Sequence, residues 1–334
     1  MSPKFAILGA TGAVGLEFLD ILAKRGVPAE NVRLLASARS AGKKLPYGNT
    51  QLLVEEVKPE SFKGINIGLF SAGASVSREW APIAVKEGVR VVDNSSAFRM
   101  DPNVPLVVPE INPQDIGNAP VIANPNCSTI IMNMAVWPLH RQNRVRRIVV
   151  STYQAVSGAG WQAMTELQEQ TRDCLDGKKL NPKVFPVPCA FNLFSHNTAI
   201  GEDGYNVEET KMIKETHKIF GDASIAITAT CVRVPVLRAH SESINLTFEK
   251  PMPADEARAI LSTAAGVQIA DDRPNNRFPM PIDVAGKDDC HVGRIRQDIS
   301  QPDNRGIDLF VCGDQLRKGA ALNAVQIADR ILQA

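Results

Sequence analysis

Short apolar runs alternate with amphipathic stretches through the first third of the chain. Phe5–Leu8, Val32–Ala36, Ile65–Phe70, Val89–Val92, Leu106–Val108 and Val121–Ala123 are apolar and rich in β-branched residues, which predicts strands. Val14–Lys24 repeats its apolar positions at helical spacing. Strands alternating with helices predict a parallel, doubly wound sheet. Gly/Ser/Asn clusters follow these strands at Gly9–Gly15, Ser37–Gly42, Ser71–Ser75 and Asp93–Ser96. Carboxyl ends of strands are where such sheets bind ligands, so several loops line one crevice.

After Pro125-Asn126-Cys127 the pattern changes. Ser128–His140 reads as a helix, Arg147–Ala155 as a long strand and Gln162–Leu175 as a polar helix. Ile225–Val234, Ser243–Phe248 and Ile307–Cys312 read as further strands. Few helices among these strands predict a mixed or antiparallel sheet covered on one face. Asn181–Pro188 and Asp271–Pro281 read as long connections, and Gly319–Leu332 as a closing helix. The expectation is α/β: a Rossmann-type domain over residues 1–127 and a second α+β domain over 128–314. The segment of about 315–334 is expected to pack back onto the first domain.

Composition narrows the function classes. With 37 basic and 36 acidic side chains the net charge is +1, which offers no global field for nucleic acid. No stretch reaches the roughly 18 apolar residues of a membrane span. Met1–Lys4 runs directly into Phe5–Leu8, which leaves no room for a secretion signal, so a cytoplasmic location is expected. The six cysteines are scattered without CxxC pairing and read as reduced thiols rather than staples or metal ligands.

Gly9-Ala10-Thr11-Gly12-Ala13-Val14-Gly15 lies between the first strand and a helix. Glycines there let backbone approach a pyrophosphate, and the helix start offers N–H groups and a positive dipole end. After the second strand, Ser37-Ala38-Arg39-Ser40 holds no carboxylate for a ribose hydroxyl. Arg39 and Ser40 instead suit a 2′-phosphate, which favours NADP over NAD. Asn126-Cys127-Ser128 precedes an apolar helical run, placing the Cys127 sulfur at a helix start where the dipole favours a thiolate. The alternative for Cys127 is a buried small hydrophobe. Glu208 and Lys211 share a helix face, in a site or as a surface ion pair. Arg233 lies among Ile227, Ala229 and Cys231 on one side of a strand and needs a partner there. His240 is a candidate acid/base because its ordinary pKa lies near neutrality.

Read together, the segments GATGAVG, SARS, DNSSAFR, PEIN, NPNCST, TYQAVSGAG, EETKM, CVRVPVLRAHSES and GDQLRKGAALNA resemble the aspartate-semialdehyde dehydrogenase family from the first strand to the last helix. The resemblance implies a glyceraldehyde-3-phosphate-dehydrogenase-like fold and NADPH-dependent reduction of L-aspartyl phosphate to aspartate semialdehyde. That reaction serves lysine, threonine and methionine biosynthesis. By the family pattern Cys127 is the acyl-thioester nucleophile, Gln154 positions substrate and His240 is the acid/base catalyst. Arg233 pairs with the substrate α-carboxylate and Glu208 with its amino group, while Arg99, Asn126 and Lys211 take phosphate. Thr11, Gly12, Ala13, Val14, Arg39, Ser40, Ser157, Gly158 and Gln315 match cofactor contacts. The resemblance further implies a homodimer or homotetramer. An N-acetyl-glutamyl-phosphate type reductase and a silent NADP-binding paralogue remain alternatives at this stage.

Overall fold

A computed structural model describes residues 2–333. They divide into two units, one formed by the residues up to Asn126 together with those from Ala320 onward, the other by Cys127–Gly319.

The first unit is built on β1 (Phe5–Leu8), β2 (Val32–Ala36), β3 (Lys44–Tyr47), β4 (Thr50–Glu56), β5 (Ile67–Phe70), β6 (Arg90–Asp93) and β7 (Val121–Ala123). They form one sheet in the order β3-β4-β2-β1-β5-β6-β7. Every pairing is parallel except β3 with β4. Successive strand side chains point to opposite faces, so Phe5 and Ile7 enter one apolar cluster while Ala6 and Leu8 enter the other. Helix α1 (Ala13–Lys24) contributes Phe18 and Leu22 to the first cluster, and the C-terminal helix Leu322–Gln333 adds Val325, Ile327 and Ala328. Helix α2 (Ala74–Lys86) covers the second cluster with Ala81 and Ala84. Cover on both faces is why these strands read as unbroken apolar runs.

The expected strand Leu106–Val108 is reduced to a single bridge from Leu106 to Ala123. The Asn112 side chain takes up the backbone groups there. Its oxygen accepts from Val108 N at 3.0 Å, and its amide donates to Leu106 O at 2.9 Å.

In the second unit, α3 (Cys127–Gln142), β8 (Val145–Gln154), α4 (Trp161–Leu175), β9 (Phe194–Ser195) and α5 (Val207–Phe220) come first. They are followed by β10 (Ala226–Arg233), β11 (His240–Phe248), α6 (Ala254–Ser262), β12 (Val267–Ile269), α7 (Pro281–Val284), β13 (Cys290–Gln297) and β14 (Gly306–Gly313). The sheet order is β12-β13-β14-β11-β8-β10-β9. It is mixed: β8 runs parallel to β10 and antiparallel to β11. Ile148, Val150, Ile244, Leu246, Leu309 and Val311 are buried, whereas the intervening Val149, Ser151, Tyr153, Ser243, Asn245 and Phe310 are exposed or half-exposed. One sheet face is therefore open. Helix α3 is buried along nearly its whole first three turns, Ser128–Val136, so its start is a fixed platform.

Candidate active site

The α3 platform sets Cys127 as the first residue of a helix, half-exposed and outside any disulfide. The positive end of the helix dipole favours its thiolate. The buried-hydrophobe alternative does not hold at this position. Gly319, in a π-helical turn over Arg317–Ala321, backs directly onto it: a Cβ on Gly319 would lie 2.9 Å from the Cys127 Cβ. Sequence reasoning missed Gly319, although π-helical turns frequently mark functional sites.

Gln154, at the end of β8, donates from Nε2 to the Ser128 hydroxyl at 2.9 Å and to Glu208 Oε1 at 3.4 Å. Glu208 enters because α5 begins at a capping box, in which Asn206 Oδ1 accepts from Glu209 N and Glu209 Oε2 accepts from Asn206 N. Glu209 also accepts from Cys231 N at 2.9 Å, fastening the helix start to β10. Lys211 Nζ stands 3.1 Å from Glu208 Oε2, and Glu208 is only 4% exposed, so the surface ion pair is excluded.

Arg233 is buried at the end of β10 and finds its partners in a carbonyl and a histidine. Nη1 donates to Ala155 O at 3.0 Å and Nη2 to His196 Nε2 at 2.8 Å. Burial lowers its pKa; opposing that, the Cys127 sulfur and then Glu208 favour its charged form. His196 was not foreseen from sequence. Burial and then Arg233 push its imidazole down to about 4, so it is neutral and accepts from the guanidinium.

His240 is fully buried at the start of β11, and its Nδ1 accepts from Ala155 N at 3.0 Å. Its ordinary pKa, the reason it stood out in the sequence, is not kept: burial, then Arg233, drive it well below that value. A neutral ring accepting at Nδ1 carries its proton on Nε2, and Nε2 has no hydrogen-bond partner among the described residues. Gly158 leaves the space beside it, since a Cβ there would lie 3.2 Å from His240 Nε2 and 2.9 Å from Arg233 Nη1. Ser157 is buried, and its hydroxyl accepts from the Gln315 amide. The second unit thus gathers Cys127, Gln154, Arg233, His240, Glu208 and Lys211 with Ser157, Gly158 and Gln315. This set can attack and orient an acyl group and offer its oxygen a hydrogen bond.

In the first unit, the turn after β1 suits a dinucleotide. Gly9 has φ +92°, and a Cβ on Gly15 would lie 2.4 Å from Gly9 O, so the turn closes only with glycine. Gly12 N-caps α1 without a side-chain cap, and the first turn carries no acidic residue, which suits a pyrophosphate. Thr11, Ala13 and Val14 are half-exposed around it. Past β2, Arg39 is exposed and Ser40 buried. After β6, Arg99 donates from Nε to Asn124 O at 2.9 Å and from Nη2 to Asn94 O at 2.8 Å. The Asn124 side chain donates to Asn94 Oδ1 and accepts from Asn323 of the C-terminal helix, which orders the turn leading to Asn126.

Residues 4–119 match the family described as semialdehyde dehydrogenase, NAD binding domain, and residues 136–318 match its dimerisation domain. A Synechocystis protein named aspartate-semialdehyde dehydrogenase is 54% identical over 99% of this chain and 97% of its own. A Bacillus subtilis protein of the same name is 45% identical over 98% and 96%. The crystal structure of aspartate semialdehyde dehydrogenase II complexed with ASA from Vibrio cholerae superposes with a TM-score of 0.96 at 42% identity, covering 100% of this chain and 99% of that one. The Candida albicans enzyme with NADP gives 0.76 at 27% identity, covering 100% and 99%.

Proposed function

The chain belongs to the aspartate-semialdehyde dehydrogenase family, and from that premise we propose how its residues divide the reaction. It is an NAD(P)-dependent dehydrogenase that interconverts L-aspartyl phosphate and aspartate semialdehyde. The observation that supports the residue assignment best is the grouping of Cys127, Gln154, Arg233 and His240 around the start of α3.

The Cys127 thiolate attacks the acyl carbon, the bond from carbon to the phosphate oxygen breaks, and phosphate leaves behind a thioester. Arg233 reads the substrate α-carboxylate with its planar fork, and Glu208 takes the α-amino group. Lys211 takes phosphate; Arg99 and Asn126 carry the same assignment from the family pattern. A bound reduced nicotinamide supplies the hydride that brings the acyl carbon to the aldehyde level. His240, as a neutral ring, donates a hydrogen bond from Nε2 to the oxygen on that carbon and stabilises the negative charge that gathers there as the hydride arrives. The carbon–sulfur bond then breaks, and Cys127 returns as thiolate while the aldehyde departs.

The turn Thr11, Gly12, Ala13, Val14 holds the pyrophosphate, and Arg39 with Ser40 reads a 2′-phosphate, which makes NADP the preferred cofactor. Ser157, Gly158 and Gln315 complete the cofactor set. The open sheet face of the second unit joins two copies of the chain as a homodimer; the match to a dimerisation domain over residues 136–318 supports this.

The test is phosphate-dependent reduction of NADP by purified protein with L-aspartate semialdehyde, before and after thiol alkylation. Turnover that needs phosphate, stops on alkylation and falls at least about a thousandfold in Cys127→Ala is expected. Full activity in Cys127→Ala would overturn the covalent route.

A further inference from the structure

His240 follows a residue in a conformation that side chains disfavour. Ala239 has φ +74° and is fully buried. Left-handed backbone at a non-glycine residue persists only where the surroundings hold it. Here the holding groups come from the segment after β14. Ala239 N donates to Gln315 Oε1 at 2.9 Å, and Gln315 Nε2 donates to the Ser157 hydroxyl. One residue back on each side, Arg238 Nε donates to Asp314 Oδ2 at 2.6 Å. Asp314 is fully buried and also accepts from Gly286 N, Leu316 N and Arg317 N. The backbone ladder between β11 and β14 ends at the pair His240 and Gly313. Beyond it the two chains are joined by side chains, residue 238 to 314 and 239 to 315.

We propose that Gln315 is a positioning residue for His240: its amide spans Ala239 and Ser157 and keeps Ala239 left-handed, which fixes the direction in which the imidazole leaves the backbone. The proposal rests on the role assigned to His240 and goes beyond the cofactor contact assigned to Gln315. Both ends of the amide are engaged inside the protein, one on the residue before His240 and the other on the turn that carries Gly158. The same turn donates Ala155 N to His240 Nδ1 and Ser157 N to Leu237 O. Without the bracket, Ala239 relaxes to negative φ and turns His240 away; glycine at 239 would hold positive φ without help.

That difference gives the test, a cycle of Gln315→Leu, Ala239→Gly and the double variant in the full chain. Gln315→Leu should lower kcat about tenfold to a hundredfold, the scale of a displaced catalytic group, with the KM for NADP changed less. Ala239→Gly added to Gln315→Leu should recover a large part of that kcat and of the lost melting temperature. A cofactor contact alone predicts the reverse, a raised KM with kcat intact and no rescue by glycine, and that result overturns the proposal. Should Gln315→Leu not fold, Ser157→Ala removes one arm of the bracket and takes its place. His240→Asn separates the two readings. If it is as active as the parent, the role given to His240 falls; if it is impaired while the cycle is additive in both kcat and melting, the bracket falls.

Discussion

Glu242 lies two residues beyond His240 on the buried face of β11, with Thr152 and Val311 as cross-strand neighbours. It is fully buried, and neither carboxyl oxygen has a hydrogen-bond partner among the described residues. Burial drives its pKa well above the ordinary value, so the folded protein keeps a proton that the unfolded chain releases. Stability from this group is therefore lost as pH rises above the ordinary carboxyl range of about 4–5. Glu242→Gln, which needs no proton, should melt higher than the parent, with a gap that widens between pH 5 and pH 8 in thermal scans. A gap that stays constant over that range would mean that the carboxyl is already ionised in the fold. Arg39 lies on the surface of the other unit, exposed beyond β2. Arg39→Ala should weaken NADPH binding about tenfold or more while leaving NADH within about threefold, because a charge-assisted contact to phosphate is worth roughly 1.5–3 kcal/mol. Cofactor titrations read both. At this scale the sequence carried Cys127, through its helix start, and Arg233, through its place on an apolar strand face. It carried no sign of His196, which reaches Arg233 only because β9 pairs with β10, matching Phe194 with Arg233. It also picked out His240 for an ordinary pKa that the fold does not keep, since burial that depends on the whole second unit lowers it.

Among elements, the agreement between pattern and structure follows burial. β1 and β2 begin and end where their apolar runs do, because both faces are covered. The hairpin of β3 and β4 was not anticipated, although Tyr47 pairs with Thr50 across Gly48-Asn49, a two-residue turn with a known signature. Its exposed Lys44, Pro46, Gln51 and Glu55 mask the strand pattern. β13 escaped for a different reason. A register shift between Gly293 and Arg296, with Arg294 at φ +53°, breaks the alternation that would announce a strand. The turn into α1 yields a prediction of its own. Gly15→Ala places a Cβ 2.4 Å from Gly9 O and 2.6 Å from Ala10 O. Forcing backbone apart costs about 1–3 kcal/mol, so NADPH affinity should fall about tenfold or more. Unchanged affinity by fluorescence titration would show that the turn opens freely.

For the molecule as a whole, near-neutral charge leaves apolar and polar shape to govern assembly. The open face of the second sheet carries the ring pair Tyr153–Phe310, 6.2 Å apart, around Ser243 on the central strand β11. Ser243→Arg sets an unpaired charge in the middle of that face. Light scattering should then report a smaller mass than the parent's, and an unaltered mass would move the contact elsewhere. The segment that completes the first core has a further consequence for how the protein is made. Ala321, Leu322, Ala324, Val325, Ile327, Ala328 and Ile331 belong to the same apolar cluster as Phe5, Ile7 and Phe18. Domains fold as units during synthesis, and here the ribosome must deliver all of the second unit before it delivers the helix that closes the first. The half translated first therefore stays without its closing helix until the whole of the second unit has been made.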